Sequence, residues 1–200
     1  MNLIELTTIP SAEIPVRAFA DHLKLVSGFA DDGSQDDLLE GYLRAAMAAI
    51  EGRIGKALLT RDFAWDVTRW YMPERQGLPL APVSAVTAVT VLSAQGEETL
   101  VDPAAYRLRE DLFRPAVVAT CLPHIPVGGF ARITFTAGFG AAWADVPADL
   151  AQAVFCYLIK RDGVWEVKPW RQQIKGKSWP KWKHGGLSRN GSDATKSVII

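Results

Sequence analysis

The order of hydrophobic periods along the chain predicts an α+β fold: a small helical bundle, an antiparallel β segment and an extended C-terminal arm. Two stretches with helical spacing come first, several with a period of two follow, and one more helical stretch comes after them. Because the strands are grouped and do not alternate with helices, a parallel α/β sheet is not expected. The 200 residues, 48% hydrophobic and 22% charged, suffice for one domain with a substantial core.

Two helices are predicted before the strands. The first lies in PVRAFADHLKLV, where apolar residues fall at helical spacing and Pro15 occupies the first turn. The second begins at Ser34 and Asp37, which form an S-x-x-D capping box, and ends near Gly55. Its apolar stripe comprises Leu39, Leu43, Ala46, Ile50 and Ile54.

The period changes to two after Thr60, which is typical of half-buried strands. DFAWDVTRW alternates apolar with polar residues, and ARITFT (131–136) places Ile133 and Phe135 on one face. Shorter strands are predicted at 86–92, 106–109 and 116–120, with a proline-rich connection at 78–82 and a turn at 94–98.

A third helix is predicted from Pro147 to Arg161. ADLAQAVFCYLIK is apolar nearly all round, so this helix is expected to be buried on several sides. The predicted core includes Ile50, Ile133, Phe135, Val154 and Leu158. The chain is accordingly divided into an N-terminal extension (1–14), a folded domain (15–162) and a basic, Trp-rich arm (163–200).

The net charge of zero conceals an acidic body and a basic tail. Residues 160–200 contain ten Lys and Arg against three Asp and Glu, a balance of +7. Of the 22 residues of each sign in the chain, twelve basic and nineteen acidic ones remain in 1–159, a balance of −7. The tail is therefore expected to be attracted to a negative partner, either a nucleic acid or an acidic subunit.

Patterns typical of catalysis or metal binding are weak, and the chain is not expected to be an enzyme. GKS at 176–178 ends like a phosphate-binding loop, but Arg171 stands where that motif needs glycine. Cys121 and His124 have the spacing of half a zinc site without a second pair. No catalytic residue, cofactor or metal is predicted.

Three further features have ordinary structural interpretations. The acidic group Asp31, Asp32, Asp36 and Asp37 either binds a cation or supplies favourable charge at a helix N-terminus, and the second interpretation is preferred. TAGFG (136–140) is interpreted as a turn whose glycines allow positive φ, rather than as a ligand loop. The two cysteines, Cys121 and Cys156, are expected to be reduced and buried.

Several segments, taken together, resemble the head–tail connector (adaptor) proteins of long-tailed phages and of phage-derived gene transfer agents. These are HLKL, DDLLEGYLRAAMAAIEGRIGKALLTRDFAWDV, LPLAPVSAVTAVTVL, DPAAYRL and, most specifically, ITFTAGFGAAWADVPADLAQAVFCYLI. They occur in the family's order from Pro15 to Arg161, so 15–162 is interpreted as the connector domain. The resemblance does not separate an infectious phage from a gene transfer agent.

The resemblance implies a structural role in the neck of a virion or phage-like particle. Connectors of this kind form a ring, usually of twelve copies, beneath the capsid portal, and join it to stopper and tail proteins. DNA leaves through the central channel without sequence-specific binding. The chain would be made in the cytoplasm of a bacterial host; it has no run long enough to span a membrane, and no membrane partner is expected.

Three interpretations compete for Trp165–Gly186: a nucleic-acid binder, a membrane-surface helix and a protein-docking arm. Prolines and glycines interrupt any amphipathic helix, which disfavours the membrane. Tryptophan and arginine are typical interface anchors, and SVII at the end is prone to form a strand, which favours docking on the portal. The predicted anchors are Trp170, Arg171, Trp179, Trp182, Val198, Ile199 and Ile200. Nucleic-acid binding by this tail remains the alternative.

Overall fold

The computed structural model describes residues 2–22, 35–161 and 164–167 and confirms the α+β class. Its helices are α1 (Val16–His22), α2 (Asp36–Ile54) and α3 (Ala148–Tyr157). The strands are β1 (Asn2–Glu5), β2 (Arg61–Val67), β3 (Arg75–Gly77), β4 (Val83–Leu92), β5 (Glu98–Leu100), β6 (Tyr106–Arg109), β7 (Ala116–Ala119), β8 (Phe130–Ala137), β9 (Leu158–Arg161) and β10 (Val164–Val167).

The strands form antiparallel sheets, as the grouping of the period-two segments predicts. A five-stranded sheet has the order β1-β2-β8-β4-β5, a three-stranded sheet has the order β3-β7-β6, and β9 pairs with β10. In the larger sheet, Phe63 lies opposite Phe135 and Trp65 opposite Ile133. The alternation in β2 and β8 therefore places their large apolar side chains on one shared face.

Two hydrophobic clusters hold the fold together. The helical cluster joins α1, α2 and α3 around residues such as Phe19, Leu43 and Met47. The sheet cluster fills the space between the two larger sheets and includes Val67, Val89, Val117, Ile133 and Phe135. The predicted core residues Ile133, Phe135 and Val154 are confirmed, since all are fully buried.

Helix α2 ends as predicted, but it begins differently. Gly55 adopts φ 64°, and its N–H donates to the carbonyl of Glu51, as in a left-handed helix stop. The N-cap is Gln35, whose side chain makes no capping hydrogen bond, and Ser34 of the predicted capping box lies outside the described residues. The acidic residues of the first turn, Asp36 and Asp37, supply favourable charge there.

The buried stripe of α2 is shorter than the sequence predicts. Three predicted members are buried (Leu39, Leu43 and Ala46), and Met47 joins them. Ile50 is half-buried, and Ile54 is exposed over 39% of its surface. The helical cluster therefore stops about one turn before the helix does.

Helix α3 is also shorter and less buried than predicted. It ends at Tyr157, and Leu158, a predicted core residue of that helix, instead begins β9. Val154 is its one buried residue, whereas Gln152, Ala153 and Cys156 are exposed. Only one side of α3 faces the other helices. The prediction that its apolar composition would bury it on several sides is therefore wrong.

The two cysteines differ from expectation, and part of the N-terminal segment joins the larger sheet. Cys121 and Cys156 are both exposed thiols, so their predicted burial is wrong. Residues 2–5 form β1, an edge strand of the larger sheet, through its pairing with β2. The arm from 168 onward lies outside the described residues.

Candidate assembly surfaces

The N-terminal segment is a strap that binds the sheet to the helices. We call residues 2–14 the N-terminal strap. Beyond β1, the backbone N–H of Asp62 donates to Thr7 Oγ1 at 2.9 Å, and Arg44 Nη2 donates to the carbonyl of Ile9 at 2.8 Å. Ser11 Oγ donates to Glu40 Oε1 at 2.8 Å. Hydrogen bonds from Arg44, and then from Ser11, lower the pKa of Glu40 below its usual value.

A buried arginine fastens this strap to the rest of the molecule. Arg61 is only 8% exposed; its Nη1 lies 3.1 Å from Glu5 Oε2 of β1, and its Nη2 donates to Glu51 Oε1 of α2. The same Glu51 oxygen accepts the backbone N–H of Leu58 at 2.7 Å. One guanidinium thus joins an edge strand, a helix and a neighbouring strand, which fits a structural role for these charges.

An open groove runs beside β3, an edge strand of the three-stranded sheet. We call it the β3 groove; it has a volume of about 330 Å³. Its walls carry Tyr71 and Phe113, whose side chains are 77% and 73% exposed, and Met72, which is 48% exposed. Gly77 leaves space along the strand, because a Cβ built there would meet nothing within 4 Å. Monomeric proteins seldom leave such large side chains together in solvent.

Three cations surround the aromatic side chains of the β3 groove. Lys56 Nζ lies 4.0 Å from the centroid of the Phe113 ring, which is the geometry of a cation–π contact. Arg75 and Arg114 line the groove itself. Asp111 Oδ1 accepts the backbone N–H groups of Phe113 and Arg114, both at 2.8 Å, and these bonds lower the pKa of Asp111. The carboxylate is thereby used to hold the loop that presents Phe113.

A second exposed surface lies on β5, an edge strand of the larger sheet. We call residues 97–102 the β5 edge. Leu100 is 64% exposed, and three carboxylates accompany it, those of Glu97, Glu98 and Asp102. Asp102 Oδ1 accepts the backbone N–H of Ala104, and Glu98 contributes to the raised pKa of Arg132, whose main cause is its hydrogen bond to Asp66. The β5 edge is therefore apolar at its centre and acidic around it.

Among the residues that the structure describes, those considered for metal or ligand binding are not assembled into a site. Cys121 and His124 line an open groove with Trp70, whose Nε1 donates to the carbonyl of Pro123 at 2.7 Å. In 2–22, 35–161 and 164–167, no group of three or more His, Cys, Asp or Glu side chains could hold a metal ion. Asp36 and Asp37 lie in the first turn of α2, and Asp31 and Asp32 fall outside the described residues.

The TAGFG segment forms a strand exit, in agreement with the turn interpretation. Gly138 has φ 144°, and a Cβ there would lie 2.4 Å from the backbone of Thr60. Gly140 is required for a different reason, since a Cβ would lie 2.2 Å from Asp145 Oδ2. The same Asp145 oxygen accepts the backbone N–H of Ala142. Both glycines serve close packing.

The predicted docking anchors fall outside the part of the chain that the structure describes. They are Trp170, Arg171, Trp179, Trp182, Val198, Ile199 and Ile200. The exposed residues of the β3 groove and the β5 edge were not singled out by the sequence, because DLFRP and EETL carry no spacing that separates a surface side chain from a core one. None of the described helices is long and apolar enough to cross a membrane.

Comparison with solved structures finds similar chains in particle necks and virions. A chain in the neck of an empty gene transfer agent particle, computed with C6 symmetry, is 52% identical, with 78% of this chain and 80% of that chain covered and a TM-score of 0.73. A chain in the virion of a native gene transfer agent particle is 51% identical, with 78% and 80% covered and a TM-score of 0.71. A chain in the neck of a native particle, computed with C12 symmetry, is 47% identical, with 78% and 79% covered and a TM-score of 0.69. No family model and no curated protein matches the chain.

The fold and the sequence identity define a structural subunit of a phage-like particle, of the head–tail connector type. More narrowly, the chain belongs to the connector family represented in the necks of gene transfer agent particles. The resemblance drawn from the sequence is thus confirmed.

Proposed function

We propose that this chain forms a ring in the neck of a phage-like particle, beneath the capsid portal, and joins the portal to stopper and tail proteins. The observation that carries the proposal is 47–52% identity over 78% of the chain to proteins of gene transfer agent necks and virions. The C6 and C12 symmetries of the related necks fit a ring of twelve copies. Head-to-tail contacts between identical copies would close such a ring.

The chemistry of the described surfaces suits a passive channel rather than catalysis. The charged clusters that the structure describes hold strands and helices together, as Arg61 does with Glu51 and Glu5. The balance of −7 in residues 1–159 would keep an exiting polyanion from adhering to the ring. We therefore propose a non-enzymatic function in which DNA passes without sequence-specific binding.

The C-terminal arm is proposed to attach the ring to the portal. Its tryptophans and its terminal Val198–Ile200 supply anchors of the kind that dominate protein interfaces, and its charge favours an acidic partner. Because β10 ends at Val167 and pairs with β9, a truncation that tests the arm should begin at 168 and leave this hairpin intact.

The test is to replace the gene with a version lacking residues 168–200 and to purify the particles. We expect the shortened chain to fold, but to be lost from sedimented heads, so that DNA-filled heads without tails accumulate. Replacing Trp170, Trp179 and Trp182 together by Ala should reproduce most of this defect. Charge reversal at Lys175, Lys177 and Lys181 is the matched control and should have a smaller effect, since buried anchors contribute more than rim charges. Normal tail attachment by the deletion variant would refute docking by the arm.

Nucleic-acid binding by the basic tail is the second candidate, supported by its charge balance of +7. It predicts submicromolar affinity for mixed-sequence duplex DNA at physiological salt, falling steeply as salt rises. The connector function predicts only weak attraction that disappears at physiological salt. Titration of the full chain and of the chain lacking 168–200 with a labelled duplex separates the two.

A further inference from the structure

The β3 groove and the β5 edge carry opposite charges. The groove presents Lys56, Arg75 and Arg114 around exposed aromatic rings, and among the described residues none of these cations forms a salt bridge within 4 Å. The β5 edge presents three carboxylates around Leu100. Complementary charges surrounding apolar centres are the arrangement found on two surfaces that dock.

The strand order places these two surfaces near different edge strands of the three-stranded sheet, the groove beside β3 and the β5 edge toward β6. β6 lies against β4, and the N–H of Val101, at the β5 edge, donates to the carbonyl of Val89 in β4. β3 is separated from β6 by β7. A chain with two separate docking surfaces can contact a neighbour at each, and head-to-tail contacts of this type generate rings.

The three cations of the β3 groove also indicate which segment of a neighbouring copy could bind there. The C-terminal arm of a neighbouring copy is basic, so placing it beside three cations would be repulsive. The sequence EETLVD at the β5 edge has three acidic residues, an exposed leucine and no basic residue. Leu100 can fill the apolar space beside Tyr71 and Phe113 while the carboxylates face the cations.

We infer that the β3 groove of one copy receives the β5 edge of the next copy, and that this contact is a repeating joint of the ring. The inference rests on the proposed function, because it identifies the partner surfaces within the ring. Leu100 of one copy lies against the aromatic walls, and the acidic side chains beside it pair with Lys56, Arg75 and Arg114 of its neighbour. Each copy supplies one groove and one edge.

The test uses the full chain in particle-producing cells, with charge reversals on each surface. Arg75→Glu with Arg114→Glu, and separately Glu97→Lys with Glu98→Lys, should each reduce the amount of the chain that sediments with particles by about tenfold or more, because like charges would then face each other. All four substitutions in one chain should restore most of the loss. Arg17→Glu with Arg107→Glu is the matched control for the groove variant, since it changes net charge by the same amount and sign at exposed residues outside both surfaces.

Restoration is the decisive outcome. If the groove bound DNA or another acidic neck protein, reversing Glu97 and Glu98 would not rescue the groove variant, and the inference would be overturned. An equal loss in the control would overturn it too, because net charge alone would then explain the effect. Melting temperatures of the purified variants show that each is folded.

Cross-linking locates the contact directly. In a chain carrying Cys121→Ser and Cys156→Ser, Leu100→Cys and Phe113→Cys together should give a ladder of covalent oligomers when purified particles are treated with a bis-maleimide. Either cysteine alone should leave the chain monomeric. Absence of a ladder from particles that contain the chain refutes the joint but not the proposed function. Absence of the unmodified chain from particles refutes the proposed function itself.

Discussion

The centre and the edge of the five-stranded sheet are built to different requirements. In β8, four alternate residues are fully buried (Ala131, Ile133, Phe135 and Ala137), and the strand is paired on both sides. In β5, all three residues are exposed and the strand is paired only with β4. The same sheet thus contains one strand, β8, that is held by core packing and another, β5, that contributes no buried side chain to the core.

This difference between centre and edge indicates which side chains are candidates for assembly contacts. At the centre, an apolar side chain is explained by the core that it fills, as with the Phe63 and Phe135 rings, whose centroids lie 5.8 Å apart. At the edge, the core does not explain Leu100, and an unpaired edge is a surface that proteins normally protect with charge. The carboxylates around Leu100 provide that protection while leaving a specific partner able to bind.

The largest expected effect tests the centre of the sheet. Phe135→Ala should destabilise the chain by about 3–5 kcal/mol, because it removes a fully buried ring and leaves a cavity. Leu100→Ala should change the free energy of unfolding by less than about 0.5 kcal/mol, because its side chain is mostly in solvent. Urea unfolding of both variants, followed by tryptophan fluorescence, measures the difference. Similar losses of unfolding free energy in the two variants would show that Leu100 at the edge contributes as much to stability as Phe135 at the centre, which contradicts this distinction.

A smaller effect compares a buried with a more exposed ion pair. Arg61→Met should cost about 2–3 kcal/mol, since it leaves Glu51, only 12% exposed, without its charged partner. Arg132→Met should cost less than about 1 kcal/mol, because Arg132 is 37% exposed and its pairing with Asp66 competes with water.

Urea unfolding again provides the measurement for these two arginines, and a third variant provides the control. Adding Glu51→Gln to Arg61→Met should recover part of the loss, because it removes the unpaired charge. Equal costs at the two sites would show that burial does not set the strength of these pairs, and that Arg61 is not the fastening point of the N-terminal strap.

Long periodic segments made most of the fold predictable. β2 and β8 alternate over seven residues or more, and α2 carries an apolar stripe over several turns, so periodicity was sufficient to predict these three elements. Strands of three or four residues, such as β1, β3 and β5, are too short to show a period. The end of α3 was missed because Leu158 and Ile159 continue the apolar pattern. The sequence Asp162–Gly163 is typical of two-residue hairpin connections and was the signal available.

The surfaces were less predictable than the fold, for a physical reason. The arm stands out by composition, since it concentrates tryptophans and cations, and its portal docking stays a prediction. Phe113 and Leu100 look like ordinary apolar residues in the sequence. Their exposure depends on how the Asp111 loop and the β4–β5 pairing are placed, which is decided by contacts between distant parts of the chain.

The smallest expected effect compares two glycines, one with open surroundings and one that is closely packed. A Cβ at Gly41, on the exposed side of α2, would meet nothing within 4 Å, so Gly41→Ala should stabilise the chain by about 0.5–1 kcal/mol through helix propensity. The same change at Gly138, at the end of the central strand, should have the opposite sign, because φ 144° and the backbone of Thr60 exclude a side chain. The midpoints of urea unfolding check both signs. Destabilisation by Gly41→Ala in the free chain would mean that α2 needs a glycine there for a reason its surroundings do not show.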